Sequence, residues 1–535
     1  MGNIGLIVFL LFGVTFLGIL SNKYKFSFPV VLVICGVAIS LIPGIPVIAL
    51  EPSIVFLIFL PPLLYAAAWN TSWRQFRANI RPISLAAFGL VLFTTLLVGV
   101  AAHTLIPGMS WPLGFLLGAI VSPPDAVAAT SVTKGLGLQP RIVSILEGES
   151  LINDASGLIA FKYATAAVMA GNFLIWEAEL QFLMVIAGGI LIGILIGLVM
   201  YYVHSRFVCD PIIEATLTLL TPFASYLLSE ELHVSGVIAV VSTGLYLSYR
   251  SASIFTHQSR IMIYSVWEVI VYILNSLIFI LIGLQLRDVM KGISDYATSD
   301  LILYGILISL VVILVRFIWV VPAALLPRWL SKRIRETEPF DKRNMLIFGW
   351  AGMRGVVSMA AALSIPLLLP DGRPFPQRNL IIYLTFCCIV ATLVILGFTL
   401  PWMIRKLKMP RFSIAAEEYE VRTSVVSNTI SHIESNLSLI NDAMLNNIKS
   451  KYEIKYQRLQ KTDLPSDYFG NVTPESPSSN VFNDYNQLQL DLIAVERDAL
   501  IHLHKTGKAS EEIVRKIERE LDLDETRLRM EMYDA

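Results

Sequence analysis

The stretch Gly148-Glu149-Ser150-Leu151-Ile152-Asn153-Asp154-Ala155 lies inside an apolar run that extends from about Gln139 to Ala170. It sets two acids, a hydroxyl and an amide where the flanking residues suit lipid. A helix turns about 100° per residue, so Ser150 and Asp154 share a face one turn apart, Asn153 flanks them, and Glu149 points well away from Asp154. One helix therefore presents two separate polar sites. An ionised carboxylate near the bilayer centre costs roughly 2.5 to 3.5 kcal/mol even on insertion scales, so acids at that depth pair or line a water-filled path. Asp154 is accordingly read as a functional residue. The competing role for such an acid is a helix cap or a structural hydrogen-bond acceptor.

Working outward, the 535-residue chain is 55% hydrophobic and 15% charged, too apolar for a soluble multidomain protein. The formal net charge of zero hides a split, because the apolar portion ends near Pro410 and a charged segment follows. Cys35, Cys209, Cys387 and Cys388 lie in or beside apolar runs without metal-site or disulfide spacing. An apolar run begins almost at Met1 with no basic region ahead of it, which reads as a retained first span, and Leu6 stands where a myristoylation signal needs Ser or Thr.

Stretches long enough to cross about 30 Å of hydrocarbon fall near residues 2–20, 27–43, 51–69, 82–106, 111–132, 140–170, 180–204, 212–229, 234–250, 261–286, 300–326, 344–369 and 379–404. The expected fold is therefore an all-α polytopic membrane protein with about 13 transmembrane helices and a helical tail. Cytoplasmic loops collect Lys and Arg, which tests that count. Alternate loops do so, carrying Lys23 and Lys25, then Arg74, Arg77 and Arg81, then Lys134 and Arg141, Arg206, Arg250 with Arg260, and a cluster from Arg328 to Arg343. This pattern predicts the N-terminus outside and the tail in the cytoplasm.

Two spans are interrupted. Ser122-Pro123-Pro124-Asp125 removes backbone donors beside an acid, and Gly349-Trp350-Ala351-Gly352-Met353-Arg354-Gly355 surrounds an arginine with glycines. With the seventh span as a linker, these occupy the fifth place in each of two inverted six-helix repeats, the arrangement that marks a transporter's midplane site. Asp125 and Asp154, with Ser150, Asn153 and freed carbonyls, offer the oxygen ligands of a small hard cation. Burial disfavours an ionised carboxylate, so the same group can hold a proton instead. Arg354 needs an anion in the membrane, and Glu149 is the candidate.

Other intramembrane groups carry less. Lys162 reads as a snorkelling residue or a second counter-charge, while Glu268, Asn275 and Arg316 read as a structural set. His103, His204, His233 and His257 fall near span ends without metal-ligand spacing. Beyond Pro410, residues 415–460 and 485–532 have helical composition, 462–484 reads as a linker, and Ala509-Ser510-Glu511-Glu512 opens a capped amphipathic helix.

At these residues the chain resembles the NhaP/NHE-type sodium/proton antiporters, the first branch of the monovalent cation:proton antiporters. Phe59-Leu60-Pro61-Pro62-Leu63-Leu64, Ser122 to Asp125, Gly148 to Asp154, Phe279-Ile280-Leu281-Ile282-Gly283-Leu284 and Gly352-Met353-Arg354-Gly355 carry the resemblance over nearly all of residues 1–405. It implies a homodimer in a bacterial inner membrane that exchanges cytoplasmic Na+, with K+ or Li+ as further candidates, for external protons. It further implies an elevator-like motion of a six-helix core, at about 82–170 and 300–404, within a transmembrane domain spanning 1–409. The remaining spans would serve dimerisation and linkage, and a cytoplasmic tail, 410–535, would offer a surface to a regulator. Asp154 would be the shared cation and proton site, Asp125 and Ser150 its neighbours, and Glu149 the partner of Arg354. The Asn153-Asp154 pair is similar to that of electroneutral members. Ala66 departs from the acid many relatives place in the third span, and Pro124 from a Thr found in some. No cofactor, enzymatic activity or nucleic-acid partner is expected. A cation channel gated by the tail is the competing transport reading, and an intramembrane hydrolase using Asp125 and Asp154 is the enzymatic one.

Overall fold

The computed structural model describes residues 3–24, 28–42, 57–125, 128–129, 136, 138–170, 175–207, 210–293, 296–332, 336, 341–408, 414–436, 449, 452–453, 456 and 479–533. Its long elements are α1 (Asn3–Tyr24), α2 (Phe28–Ser40), α3 (Leu60–Asn70), α4 (Ile80–Leu105), α5 (Trp111–Val121), α6 (Pro140–Ala170) and α7 (Ile175–Phe207). They continue with α8 (Pro211–Glu231), α9 (Gly236–Ile254), α10 (His257–Leu284), α11 (Thr298–Leu330), α12 (Lys342–Trp350), α13 (Val356–Leu363) and α14 (Arg378–Lys406). The tail supplies α15 (Ile414–Asn436), α16 (Ser479–Thr506) and α17 (Glu511–Tyr533). The fold is all-helical, and helix occupies part of every stretch whose hydropathy suggested a span. Residues 126–127 and 130–132 of the fifth stretch, 51–56 of the third and most of the tail linker lie outside the described residues.

Two compact units emerge. The first comprises Met1–Cys209, Ile213–Ile254 and Ser265–Arg411; the second comprises Asp210–Ile212, Phe255–Tyr264 and Phe412–Ala535. Among the described residues six helices are long and apolar enough to cross a membrane, of which α14 is the most enclosed and α7 the least. The centre of the first unit is filled by side chains such as Leu116, Leu117, Ile347, Met353, Ile389 and Leu393. Helices α4 and α5 pack closely because small residues let their backbones approach. A Cβ on Gly114 would lie 2.6 Å from the Gly99 carbonyl oxygen, and one on Gly118 would lie 2.4 Å from that of Thr95. A π-helical turn at Leu85–Leu90 loosens α4 where Ser156 of α6 donates to the Ala87 carbonyl at 2.6 Å.

The second unit has its own core. Ile513, Ile517, Leu521 and Leu528 recur along one face of α17 and pack with Val421, Val425, Leu500 and Leu503. Ser510 precedes α17 as its sequence suggests, but its hydroxyl donates to Glu417 of α15 at 3.1 Å. Phe255–Tyr264 joins this unit through charge. Arg260 Nε donates to Asp522 at 2.9 Å, Arg497 donates to both Asp522 (2.7 Å) and Glu525 (2.9 Å), and His257 Nδ1 lies 3.2 Å from Glu525.

Candidate functional site

The interrupted spans meet. After α5 ends at Val121 the backbone leaves the helix at Ser122–Asp125, and between α12 and α13 it leaves at Met353–Gly355. The Asp125 N–H donates to the Met353 carbonyl at 2.7 Å, so the donors freed by one break satisfy acceptors freed by the other. Gly355 is required by proximity: a Cβ there would sit 1.8 Å from Asp125 Oδ2. Its φ of −149° lies outside the left-handed region, so the argument for glycine here is one of space.

Beside this crossing is a cavity of about 210 Å³, which Asp154, Asp125 and Ser150 line. Asp154 is 8% exposed and Asp125 is half-buried. Asp125 also accepts from the Ala128 N–H at 3.3 Å, so it caps the chain that follows it as well as facing the cavity. Asn153 is placed differently. It is fully buried outside the cavity wall, and its amide lies 3.5 Å from the Pro124 carbonyl, where it braces the unwound stretch.

The structure adds residues to this wall. Glu147 lines the cavity, and its spacing of three and seven residues from Ser150 and Asp154 puts all three on one helix face. That periodicity was legible in the sequence. Asn275, Asn70 and Ser358 line it as well, and the buried Ser358 hydroxyl has no hydrogen-bond partner. Asn275 thus belongs to the cavity rather than to a set with Glu268, which is exposed. Ala66 offers no ligand at its own position, so Asn70 is the polar residue that α3 gives to the wall.

The expected Glu149–Arg354 pair is replaced. Glu149 accepts a bidentate pair from Arg316 of α11, at 2.7 and 2.8 Å, and both side chains are at most 2% exposed. The Arg316 guanidinium also stacks 4.9 Å from the Phe348 ring centroid and donates to the Phe348 carbonyl. Arg354 instead donates to the Ser122 carbonyl at 2.5 Å. That carbonyl ends α5, where the helix dipole is negative, so backbone faces the arginine directly, while Glu149 acts on it through space. Its backbone N–H donates to Thr392 of α14. Lys162 pairs with Glu230 at 3.0 Å.

Comparisons with known proteins agree with this fold. The family described as "Sodium/hydrogen exchanger, transmembrane" matches residues 7–406. A Bacillus pumilus protein named "Sodium, potassium, lithium and rubidium/H(+) antiporter" is 35% identical over 387 residues, covering 71% of this chain and 58% of its own length. An uncharacterized Na(+)/H(+) exchanger of Mycobacterium tuberculosis is 30% identical over 519 residues, covering 95% of this chain and 93% of its own. The fold is similar to that of the sodium proton antiporter MjNhaP1 from Methanocaldococcus jannaschii, with a TM-score of 0.59 at 19% identity over 76% of this chain and 98% of that one. The match over residues 7–406, together with a relative aligned over nearly its whole length, makes this multi-pass membrane chain a member of the sodium/hydrogen exchanger family.

Proposed function

We propose that the cavity beside the crossed breaks is where this sodium/hydrogen exchanger binds either a cation or a proton at Asp154. The observation that carries this reading is that Asp154, Asp125 and Ser150, from two helices, line one cavity at the point where both interrupted spans lose their helical hydrogen bonds. Asp154 holds Na+ with oxygen ligands from Asp125 and Ser150, and releases it when a proton occupies the carboxylate. Such competition couples the two fluxes without a second site, since a group that binds one ligand excludes the other. Asn153 contributes by holding the Pro124 carbonyl in place, and the paired Glu149 and Arg316 tie α6 to α11.

Further parts of the reading follow the family. The exchange is electroneutral, and accepts K+ or Li+ beside Na+, as the name of the Bacillus pumilus relative suggests. The protein sits in a bacterial inner membrane as a homodimer, with its N-terminus outside and its tail in the cytoplasm, where the tail meets a regulator. The membrane-facing leucines and valines of α7, including Leu191, Leu195 and Val199, supply apolar surface for lipid and for a second copy. Residues 1–409 act as the transport domain, with α4–α6 and α11–α14 as its moving core.

Proteoliposomes decide this. Internal pH, followed on adding Na+, K+ or Li+ with the membrane potential first clamped and then free, should rise or fall with cation in the wild type and stay flat in Asp154→Asn. Insensitivity to the clamp is expected for electroneutral exchange. Full activity in Asp154→Asn would remove the site assignment, and cation flux without proton movement would replace exchange by conduction.

A further inference from the structure

A second cavity, of about 220 Å³, opens among α4, α6, α11 and α12 at the end of the bundle that carries the arginine-rich loops. Each of the four helices gives it a charged residue at the mouth and an apolar one a turn deeper on the same face: Arg81 with Leu85, Arg141 with Ile145, Arg328 with Ala324, and Asp341 with Met345. Three of the four charges are therefore arginines. Asp341, the fourth, accepts from the Arg343 N–H at 2.8 Å as the N-cap of α12, which engages its carboxylate with a helix terminus. Among the described lining residues arginines thus outnumber acids three to one, and Arg141 is steadied by donating to Asn79 at 3.1 Å.

Deeper in the cleft, two polar atoms are buried without hydrogen-bond partners among the described residues: the Trp319 Nε1–H donor and the Asn344 Oδ1 acceptor. A buried donor left unmade costs free energy, so the pair calls for a ligand that carries oxygen as well as hydrocarbon. Around the cleft, Leu85, Val321, Leu325 and Trp329 are exposed apolar side chains on membrane-length helices, so it opens toward hydrocarbon rather than bulk water. We infer that this cleft binds an anionic phospholipid of the arginine-rich leaflet, its phosphodiester at Arg81, Arg141 and Arg328 and part of one acyl chain along Ile145, Trp319 and Ala323. Basic pockets between membrane helices favour such headgroups. The ester carbonyl oxygens give Trp319 its acceptor, and a headgroup hydroxyl gives Asn344 its donor. The site is distinct from the Asp154 cavity and stands whether or not that cavity carries the ions.

The test uses the full-length protein in detergent, with thermal stabilisation as the readout. Dioleoylphosphatidylglycerol should raise the unfolding temperature, while dioleoylphosphatidylcholine and soluble glycerophosphoglycerol should not. Arg81→Gln combined with Arg328→Gln should raise the half-saturating lipid concentration about thirtyfold, about fivefold for each arginine near the surface. Ala323→Trp, which fills the apolar part and leaves every charge in place, should abolish the stabilisation; this arm decides the matter if the arginine variant does not fold. Equal stabilisation by the soluble headgroup would make this a free-anion site, and equal stabilisation by phosphatidylcholine would remove the anionic preference. An unchanged response in both variants would place the lipid elsewhere. Each of these three results overturns the proposal.

Discussion

Glu149 and Arg316 are both enclosed, and their bidentate contact is the shortest buried ion pair of the first unit among the described residues. Removing one partner of such a pair leaves an uncompensated buried charge, at a cost of about 3 to 5 kcal/mol, whereas replacing both by apolar groups of similar volume is often tolerated. Glu149→Leu or Arg316→Met alone should therefore lower the yield of monodisperse protein and its unfolding temperature, and the double variant should recover most of both. Size-exclusion profiles and thermal scans of the three variants check this; a double variant no better than either single one would contradict the pairing. Arg354 lies in the same region of sequence logic but follows another rule. Its guanidinium donates to the Ser122 carbonyl at the end of α5, a contact that changes at Glu149 leave in place.

At the scale of elements, the two interrupted helices work as one object. Proline removes donors from the first and glycine gives room in the second, but the crossing exists only because Asp125 N–H meets the Met353 carbonyl and Gly355 has no side chain. Gly355→Ala would push a methyl into the Asp125 carboxylate, and a contact of that closeness cannot be absorbed without shifting one of the breaks. Exchange should fall at least about tenfold, the rate equivalent of about 1.4 kcal/mol, with the protein still inserted. Gly13→Ala, where an added Cβ meets nothing within 4 Å, serves as the control and should match wild type. Equal exchange by both variants would show that the closeness of the crossing is not needed.

At the scale of the whole molecule, the second unit is held by ion pairs whose protonation sets its acid limit. In α17, burial favours the neutral form of Glu511, but the His504 hydrogen bond and Arg515 outweigh it and hold the carboxyl down to about 2. Glu418 is likewise held below its usual value, chiefly by its hydrogen bond from Lys516. A depressed carboxylate contributes stability that is complete above its unfolded value, about 4.5 for glutamate, and is lost as pH falls toward the folded one. Glu518 runs the other way: burial raises it, so it favours the fold below that unfolded value and weakens it as pH climbs through the raised one. Amide protection of α16 and α17 in the full chain should therefore collapse below about pH 4, and Glu518→Gln should increase protection on the alkaline side. Hydrogen exchange across pH checks both, and protection that persists to pH 2 would show that these pairs do not hold the unit.

Much of this architecture was legible before any coordinates. Hydropathy is a local property, so the helices fell where the apolar runs lay; proline and glycine act on their own backbone, so both breaks were visible at Ser122–Asp125 and around Arg354. The i, i+4 relation of Ser150 and Asp154 placed both on one face, and the structure puts both on one cavity. What the sequence by itself determined was thus every feature carried within about one helical turn: which segments are helical, where they break, and which acids lie at depth. Only the tertiary structure decided which groups meet across helices. Glu149 and Arg316 are separated by 167 positions, and their contact depends on the rotation and depth at which α6 and α11 pack, as does the recruitment of Asn275 to the cavity and of three arginines to one cleft. Those choices rest on side-chain interlocking between distant segments, which periodicity within a single segment does not encode.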